Sequence, residues 1–446
     1  MELEGLNERQ KEAVITTEGP VLVIAGAGSG KTKVLTTRIA YLIENKKVNS
    51  ENILAITFTN KAAKEMKDRV SNILKRDIRR MHISTFHSFG VEILREYGYL
   101  VNIDKNFTIL DSDDSLKVIK IIIDDMNLNK TLSPKHVKEV ISSYKNKLVL
   151  PEEAEKNTYT FEEKQIVDIY EKYNKKLYNS NSVDFDDLLL IPYLILDKYN
   201  AVLEEFQEKY KYILIDEYQD TNDAQYFLVK MLSAKYKNLF VVGDSDQSIY
   251  SFRGANYKNI LNFTKDFPNA KVIKLEQNYR STNNILSIAN NVIKNNIERS
   301  HKDLWSSLGD GEKVKFNQLN TEEDEVNYVI SEIKKISNQY DYDDIAIIYR
   351  TNAQSRLFEQ LFINNVIPFK LVGSFGFFNK KEIKDLIAYL KLIDNPKDDI
   401  SFLRIVNYPT RGIGNKTVEN LQRKANLSNL SLYESIEEDD KKLILF

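Results

Sequence analysis

Short, mostly apolar runs recur at positions 21–24, 53–56, 212–215, 239–242 and 272–275, and each stops against a polar cluster. Runs of this length without strict alternation read as strands buried on both faces of a sheet. Between the first two, Leu35, Ile39 and Leu42 recur at helical spacing. Strands alternating with amphipathic helices predict an α/β domain built on a parallel sheet.

From about Asp111 the texture changes to helix after helix. Ser133 followed by Pro134 marks a helix start, and Thr160 with Glu163 three residues later has capping-box spacing. Because strands return at 212, the helical block reads as an insertion into one α/β domain. In an open parallel sheet the ligand crevice lies at the carboxyl ends of the strands, so the polar clusters are expected to converge on one site. A second α/β region begins near Ser281, with a strand expected at 345–349 and an amphipathic helix at 382–392. The last stretch, from about Lys380, is expected to be helical and carries an acidic cluster at 437–440. Neither an internal repeat nor a low-complexity tract interrupts this order.

The first strand runs into VLVIAGAGSGKT, residues 21–32. Gly26, Gly28 and Gly30 let backbone amides approach a polyphosphate without side-chain obstruction. Lys31 is placed for the β- and γ-phosphates, Thr32 offers a hydroxyl to Mg²⁺, and the helix that opens there directs its positive end at the anion. Ala25 stands in the first glycine position of the motif as a small-residue variant. The expected nucleotide contacts thus include Ala25, Gly26, Ala27, Gly28, Ser29, Gly30, Lys31 and Thr32, with Lys33 next to them.

Composition adds exclusions. The 446 residues leave room for about three domains. With 63 basic and 65 acidic residues the net charge is −2, which excludes a histone-like protein but not a local basic groove. The absence of cysteine removes disulfides and thiolate metal sites, and His82, His87, His136 and His301 are too scattered for a metal cluster. The N-terminal MELEGLNERQ has no secretory signal pattern, and the longest apolar run, 188–196, is too short for a bilayer and contains Pro192. A soluble protein of the cytoplasm, with no membrane partner, is the expectation.

Three further blocks carry candidate chemistry. YILIDEYQDTN, residues 212–222, sets Asp216 and Glu217 at a strand end, where they suit the Mg²⁺ shell and a general base for the attacking water. VVGDSDQSIYSFRGA, residues 241–255, offers Gln247 to sense a γ-phosphate and Tyr250, Phe252 and Arg253 as a base-stacking and cationic surface. Tyr250 and Phe252 also alternate as a half-buried strand would. LEQNYRST places Tyr279 and Arg280 behind the last strand, an aromatic for a nucleobase and a cation for developing phosphoryl charge.

These blocks, with LNERQKEAV at 6–14, AITFTNKAA at 55–63, STFHSF at 84–89, VDFDDLL at 183–189, IAIIYRTNAQSR at 345–356 and NPKDDISFLRIVNYPTRGIG at 395–414, make the chain resemble the superfamily 1 DNA helicases of the UvrD, Rep and PcrA type. The resemblance implies an ATP-driven translocase moving 3′ to 5′ on single-stranded DNA and separating duplex at junctions, in repair or replication. It further implies that Lys31, Thr32, Asp216, Glu217, Gln247 and Arg280 line the ATP site, with Gln10 and Tyr279 at adenine. Thr57, Phe58, Asn60, His87, Tyr250, Phe252 and Arg253 would lie towards DNA, with Arg350 and Asn352 contributed by a second motor domain.

The implied organisation is a first RecA-like motor domain at 1–107 and 183–280, interrupted by a helical insertion at 108–182. The start of a second motor domain follows at 281–379, and a helical accessory insertion begins at 380–446. Phe252 stands where many relatives carry tryptophan, and Lys33 where an arginine commonly packs on adenine, which removes a planar stack. The family pattern continues beyond residue 446, so the second motor domain is expected to be incomplete. That leaves two rivals to a helicase: a nucleotide-gated single-strand-binding module with little turnover, and a small-molecule kinase, which leaves the 250–253 cluster unexplained. No further acidic cluster points to a nuclease.

Overall fold

The computed structural model describes residues 3–78, 80–251, 254–296, 299, 301–372, 380–428 and 430–436. The strands are, in chain order, β1 (Val21–Ala25), β2 (Ile53–Thr57), β3 (His82–Thr85), β4 (Thr108–Ile109), β5 (Ser182–Val183), β6 (Tyr212–Ile215), β7 (Leu239–Gly243) and β8 (Lys271–Leu275), of which β1, β2, β6, β7 and β8 are those expected. Six of them build one sheet in the order β3-β2-β6-β7-β1-β8, every pair parallel, while β4 and β5 make a small parallel ladder apart from it. In register, Leu22 stands beside Val241 on one side and Val272 on the other.

Side chains alternate across the sheet, so each strand feeds two cores. Leu22, Ile24, Leu54, Ile56, Ile213 and Ile215 pack on one face with Phe89, Ile93 and Leu188 from helices. Val21, Val23, Ile53, Ala55, Leu214 and Phe240 pack on the other with Leu35, Ile39, Leu42 and Met66. Being buried on both faces explains why β1, β2 and β7 read as continuous apolar runs rather than alternating ones. β3 was hidden to that reading because its sequence, HIST, has one apolar residue in four and is only alternately buried.

On the second face, the helix α1 (Glu8–Ile15) is fastened to α2 (Lys31–Glu44) by one buried arginine. Arg38, on α2, donates to the carbonyls of Ala13 at 2.7 Å and Thr17 at 3.1 Å and also to Thr16, and its guanidinium lies 4.2 Å from the centre of the Phe240 ring. Burial lowers its pKa to about 9. The carbonyls left over at the end of α1 are satisfied by this side chain, and the start of α1, with Asn7 and Gln10, is held beside the glycine loop.

A helical block lies between β4 and β5. It includes Ser112–Asp125, Pro134–Asn146, Pro151–Lys156 and Phe161–Asn179, around Val118, Ile122, Ile141, Ile169 and Tyr170. Thr160 and Glu163 form the expected capping box, whereas Ser133 makes no side-chain cap and Pro134 alone sets the start. The apolar run at 188–196 falls within the helix Asp187–Lys198, buried against the sheet. No helix among the described residues is long and apolar enough to cross a membrane.

By contacts the chain divides into two units, residues 1–311 with 388–446, and residues 312–387. In the first, the last part of the helix Lys381–Asp394 and the helices Asp399–Ile405 and Asn415–Ser428 share a core of Leu392, Phe402, Ile405 and Leu421. Buried Asn395 ties this part to the insertion through Thr108, Ser180 and Asn181. The second unit packs Glu322–Ile336 on Ser355–Asn364 through Val326, Ile330 and Phe362. The strand expected at 345–349 has no ladder partner among the described residues. Ile345 and Ile347 lie partly buried on that helical core instead, which satisfies the alternation without a sheet. The acidic cluster at 437–440 lies outside the described residues.

The insertion is joined to the sheet domain by a buried charge triad. Lys145 is fully buried, its ammonium 2.8 Å from both Asp184 and Asp187, and Tyr173 donates to Asp184 at 2.9 Å. Burial opposes the charge on Lys145, but the two carboxylates outweigh it and hold its pKa well above the ordinary value. Burial raises Asp187 to about 7, with the Asp184 charge adding to it, while at Asp184 the attraction of Lys145 overcomes burial and lowers the pKa. Removing one partner of such a cluster strands a charge in the interior. Lys145→Met is therefore expected to cost about 3–5 kcal/mol of unfolding free energy, read as a lower urea midpoint; an unchanged midpoint would show that the triad does not hold the insertion in place.

Candidate nucleotide site at the carboxyl edge of the sheet

Parallel strands end together, and the residues singled out from sequence in the first unit follow those ends: 26–32 after β1, 58–60 after β2, His87 after β3, 216–217 after β6, 247–250 after β7 and 279–280 after β8. Gly30, left-handed at φ 88°, caps α2, and Lys31 and Thr32 are its first residues. Gly28 is also left-handed at φ 67°, and a Cβ there would stand 2.6 Å from Asn278 Nδ2 and 2.8 Å from Arg280 Cβ. Only glycine allows this fold-back against the segment after β8.

Protein donors take up the carbonyls of the loop. Ser29 Oγ donates to Gly26 at 2.7 Å, Asn278 Nδ2 to Ala27 at 2.6 Å, the Tyr279 amide to Gly28 at 2.9 Å and Gln10 Nε2 to Ser29 at 2.9 Å. The Gly26 amide continues the ladder to Leu275 just past Ala25. What this leaves for an anion is loop amides and the positive end of α2.

Lys31 sits in a closed hydrogen-bonded ring. Its Nζ is 3.1 Å from Glu217 Oε2, which accepts from Gln219 Nε2 at 3.0 Å; Gln219 Oε1 accepts from the Asp244 amide at 2.9 Å; Asp244 Oδ2 accepts from Gln247 Nε2 at 2.6 Å; and Gln247 Oε1 accepts from Lys31 Nζ at 3.1 Å. Three expected residues, Lys31, Glu217 and Gln247, are thus brought together by two that sequence reading passed over, Gln219 and Asp244. Both of those are almost wholly buried.

Asp216 is buried at the end of β6, and its Oδ1 accepts from the Glu217 amide at 3.0 Å. Burial raises its pKa to about 6, with the Glu217 charge adding to it. Asp220 is raised to about 6 for the same two reasons in the same order. Glu217 itself holds a left-handed backbone at φ 50°, a conformation that costs a non-glycine residue about 1–3 kcal/mol and persists where surrounding structure enforces it. Among the described residues no group of three His, Asp or Glu side chains could by itself hold a metal.

Tyr279 lies at the edge of the loop, about half exposed, its hydroxyl accepting from Asn7 at 2.8 Å and donating to Gln277 at 2.9 Å. Gln10 is buried, and its Oε1 accepts from the Asn7 amide at 3.0 Å in a capping box. Arg280 is exposed, while its backbone amide is fixed by Asn278 Oδ1 at 2.8 Å. Lys33 turns away to the Gly5 carbonyl, 2.7 Å from its Nζ. Asn278, another residue not foreseen, thus holds both the loop and the backbone of Arg280; its only sequence signal was its place next to the Tyr279–Arg280 pair.

Of the residues expected to face DNA, two make an aromatic pair. Phe58 and Tyr250 stack with ring centres 5.3 Å apart and planes at 19°, so Tyr250 belongs to a stacked pair rather than a strand. Thr57 is buried at the end of β2, and Asn60 opens the helix Asn60–Leu74 on the exposed side. His87 meets the exposed ring of Phe185 edge-on at 5.6 Å, and its pKa is lowered by burial. Phe252 and Arg253 lie outside the described residues. Arg350 and Asn352 belong to the second unit, both exposed, around a turn in which Gln354 Oε1 accepts from the Arg350 amide at 3.0 Å.

Comparison with known proteins gives the family. Residues 6–268 match the model of the UvrD/REP helicase N-terminal domain, and residues 273–444 that of the UvrD-like helicase C-terminal domain. The chain is 49% identical over 440 residues to the ATP-dependent DNA helicase PcrA of Staphylococcus epidermidis and 48% identical to that of Staphylococcus aureus, covering 98% of this chain and 60% of each relative. It therefore spans about 60% of the length of these curated relatives. With both family models aligned in order and the strand-end residues gathered around Lys31, the chain belongs to the UvrD/Rep helicase family.

Proposed function

We propose that this chain is the nucleotide-hydrolysing and strand-gripping part of an ATP-dependent, 3′-to-5′ DNA helicase acting in the cytoplasm on single-stranded DNA and its duplex junctions. The observation that carries the reading is the ring in which Lys31 bridges Glu217 and Gln247 directly below the glycine loop. In this reading ATP lays its phosphates along the loop amides, with adenine between Gln10 and Tyr279. Lys31 exchanges its carboxylate and amide partners for phosphate oxygens. Glu217 is thereby released to take a proton from water as the water oxygen bonds to the γ-phosphorus and the bond to the β-phosphate oxygen breaks. Gln247 orients the γ-phosphate, and Arg280 offsets the charge that develops on it.

The residues also fit Mg²⁺, which binds through one or two side chains together with substrate phosphates rather than in an all-protein cage. Thr32 and the buried carboxylate of Asp216 would hold it, and its role there is to neutralise charge between the β- and γ-phosphates. In this reading Arg350 and Asn352 belong to the second motor domain, and alternating grips coupled to hydrolysis advance the strand. Phe58 and Tyr250 supply a stacking platform that accepts any base, as a motor on arbitrary sequence requires.

Two outcomes test this. Lys31→Ala is expected to lower DNA-stimulated phosphate release by about 10²–10³, the loss typical of removing one contact to developing charge, with single-strand binding retained; release equal to wild type would remove the proposed role of Lys31. Binding without turnover in the wild-type chain itself would favour the nucleotide-gated binding module. Tyr250→Ala is expected to weaken binding to labelled oligothymidylate by roughly tenfold to a hundredfold, in line with base stacking of about 1–3 kcal/mol, and anisotropy titrations showing equal affinity would place the strand elsewhere.

A further inference from the structure

The ring around Lys31 has a fourth strand of connection that its catalytic reading does not use. Asp244, which accepts from Gln247 through Oδ2, accepts from the ammonium of Lys302 through Oδ1. Lys302 is buried and also donates to Asp246 at 2.6 Å, and Arg299 reaches the same Asp246 oxygen at 2.9 Å. Two carboxylates from the loop after β7 thus face two cations from a strap 58 residues away. Buried cations of this kind are retained only against matching charge.

The strap itself is tied to the other side of the nucleotide site. The His301 carbonyl accepts from Lys274 at 2.7 Å, the Trp305 amide donates to Glu276 at 3.2 Å, and the Trp305 carbonyl accepts from the Asn278 amide at 2.8 Å. Asn278 is the residue that holds the glycine loop and the Arg280 backbone. Along the sequence, the strap then leads into the second unit, which begins at residue 312.

The geometry points to Lys302 as a positioning residue for recognition of the γ-phosphate: it fixes Asp244, Asp244 fixes the Gln247 side chain, and the strap at 301–305 registers whether Gln247 has a phosphate to hold. Without Lys302 one lone pair of Asp244 loses its cation, and the carboxylate is free to turn away from Gln247. ADP, which lacks the γ-phosphate, does not call on this chain of contacts. This inference rests on the proposed placement of Gln247 at the γ-phosphate.

The test compares affinity for a non-hydrolysable ATP analogue with affinity for ADP, both in Mg²⁺ and read by competition with a fluorescent nucleotide. Wild type is expected to prefer the triphosphate analogue. Lys302→Met is expected to lose about tenfold of that preference, as for one charge-assisted contact, with ADP affinity unchanged. Lys302→Arg restores the charge and is expected to restore the preference, while Asp246→Asn, which leaves the Lys302–Asp244 contact in place, keeps it. An unchanged preference in folded Lys302→Met, or an equal loss in Asp246→Asn, overturns the inference.

Hydrogen exchange on the wild-type chain gives a readout that needs no variant to fold. Amides at 301–305 are expected to exchange more slowly with the triphosphate analogue than with ADP, and equal exchange counts against the inference. A wild-type chain that binds neither nucleotide would instead overturn the proposed function.

Discussion

An ammonium held between a carboxylate and an amide, at the start of a helix and beneath a glycine loop, is the interaction on which the site depends. At its partly buried position Lys31 faces groups that accept from it. Glu217 and Gln247 do so from two neighbouring strands, each about 3.1 Å from Nζ. In the proposed reading the same two groups act at the γ-phosphate. They hold the amine that a phosphate would claim, so that in the proposed reading a bound nucleotide both fills the loop and frees Glu217.

That arrangement is possible because six parallel strands end on one edge. A parallel sheet buried on both faces is rigid, and its loops inherit that rigidity as positional precision at the carboxyl ends. The cost is a set of polar groups placed under cover, and the structure answers it by pairing them. Arg38 takes the end of α1, Lys145 faces Asp184 and Asp187, and Lys302 faces Asp244 and Asp246. The last two clusters do more than satisfy charge. One joins the helical insertion to the sheet domain, and the other joins the loop after β7 to the strap that precedes the second unit.

Much of this was legible in the sequence, for identifiable reasons. β6 was read to the residue because YILI is apolar, sharply bounded and buried in the sheet. Lys31, Glu217 and Gln247 could be named because each follows a strand end, where topology forces convergence. β3 was not legible, since HIST carries little apolar signal. Residues 345–349 misled in the opposite sense: their alternation is real, but it is satisfied by a helical core rather than a ladder. Gln219, Asp244 and Asn278 have no sequence signature because an amide or carboxylate becomes a positioning group only through its partners. Lys302 is a further case, meeting Asp244 from 58 residues away.

The most direct measurement of the central claim is a crystal structure of this chain with Mg²⁺ and a non-hydrolysable ATP analogue. The account predicts phosphate oxygens within hydrogen-bonding distance of Lys31 Nζ, the metal beside Asp216 and Thr32, and Glu217 no longer paired with Lys31. Phosphates bound away from the glycine loop, with Lys31 still bridging Glu217 and Gln247, would contradict it.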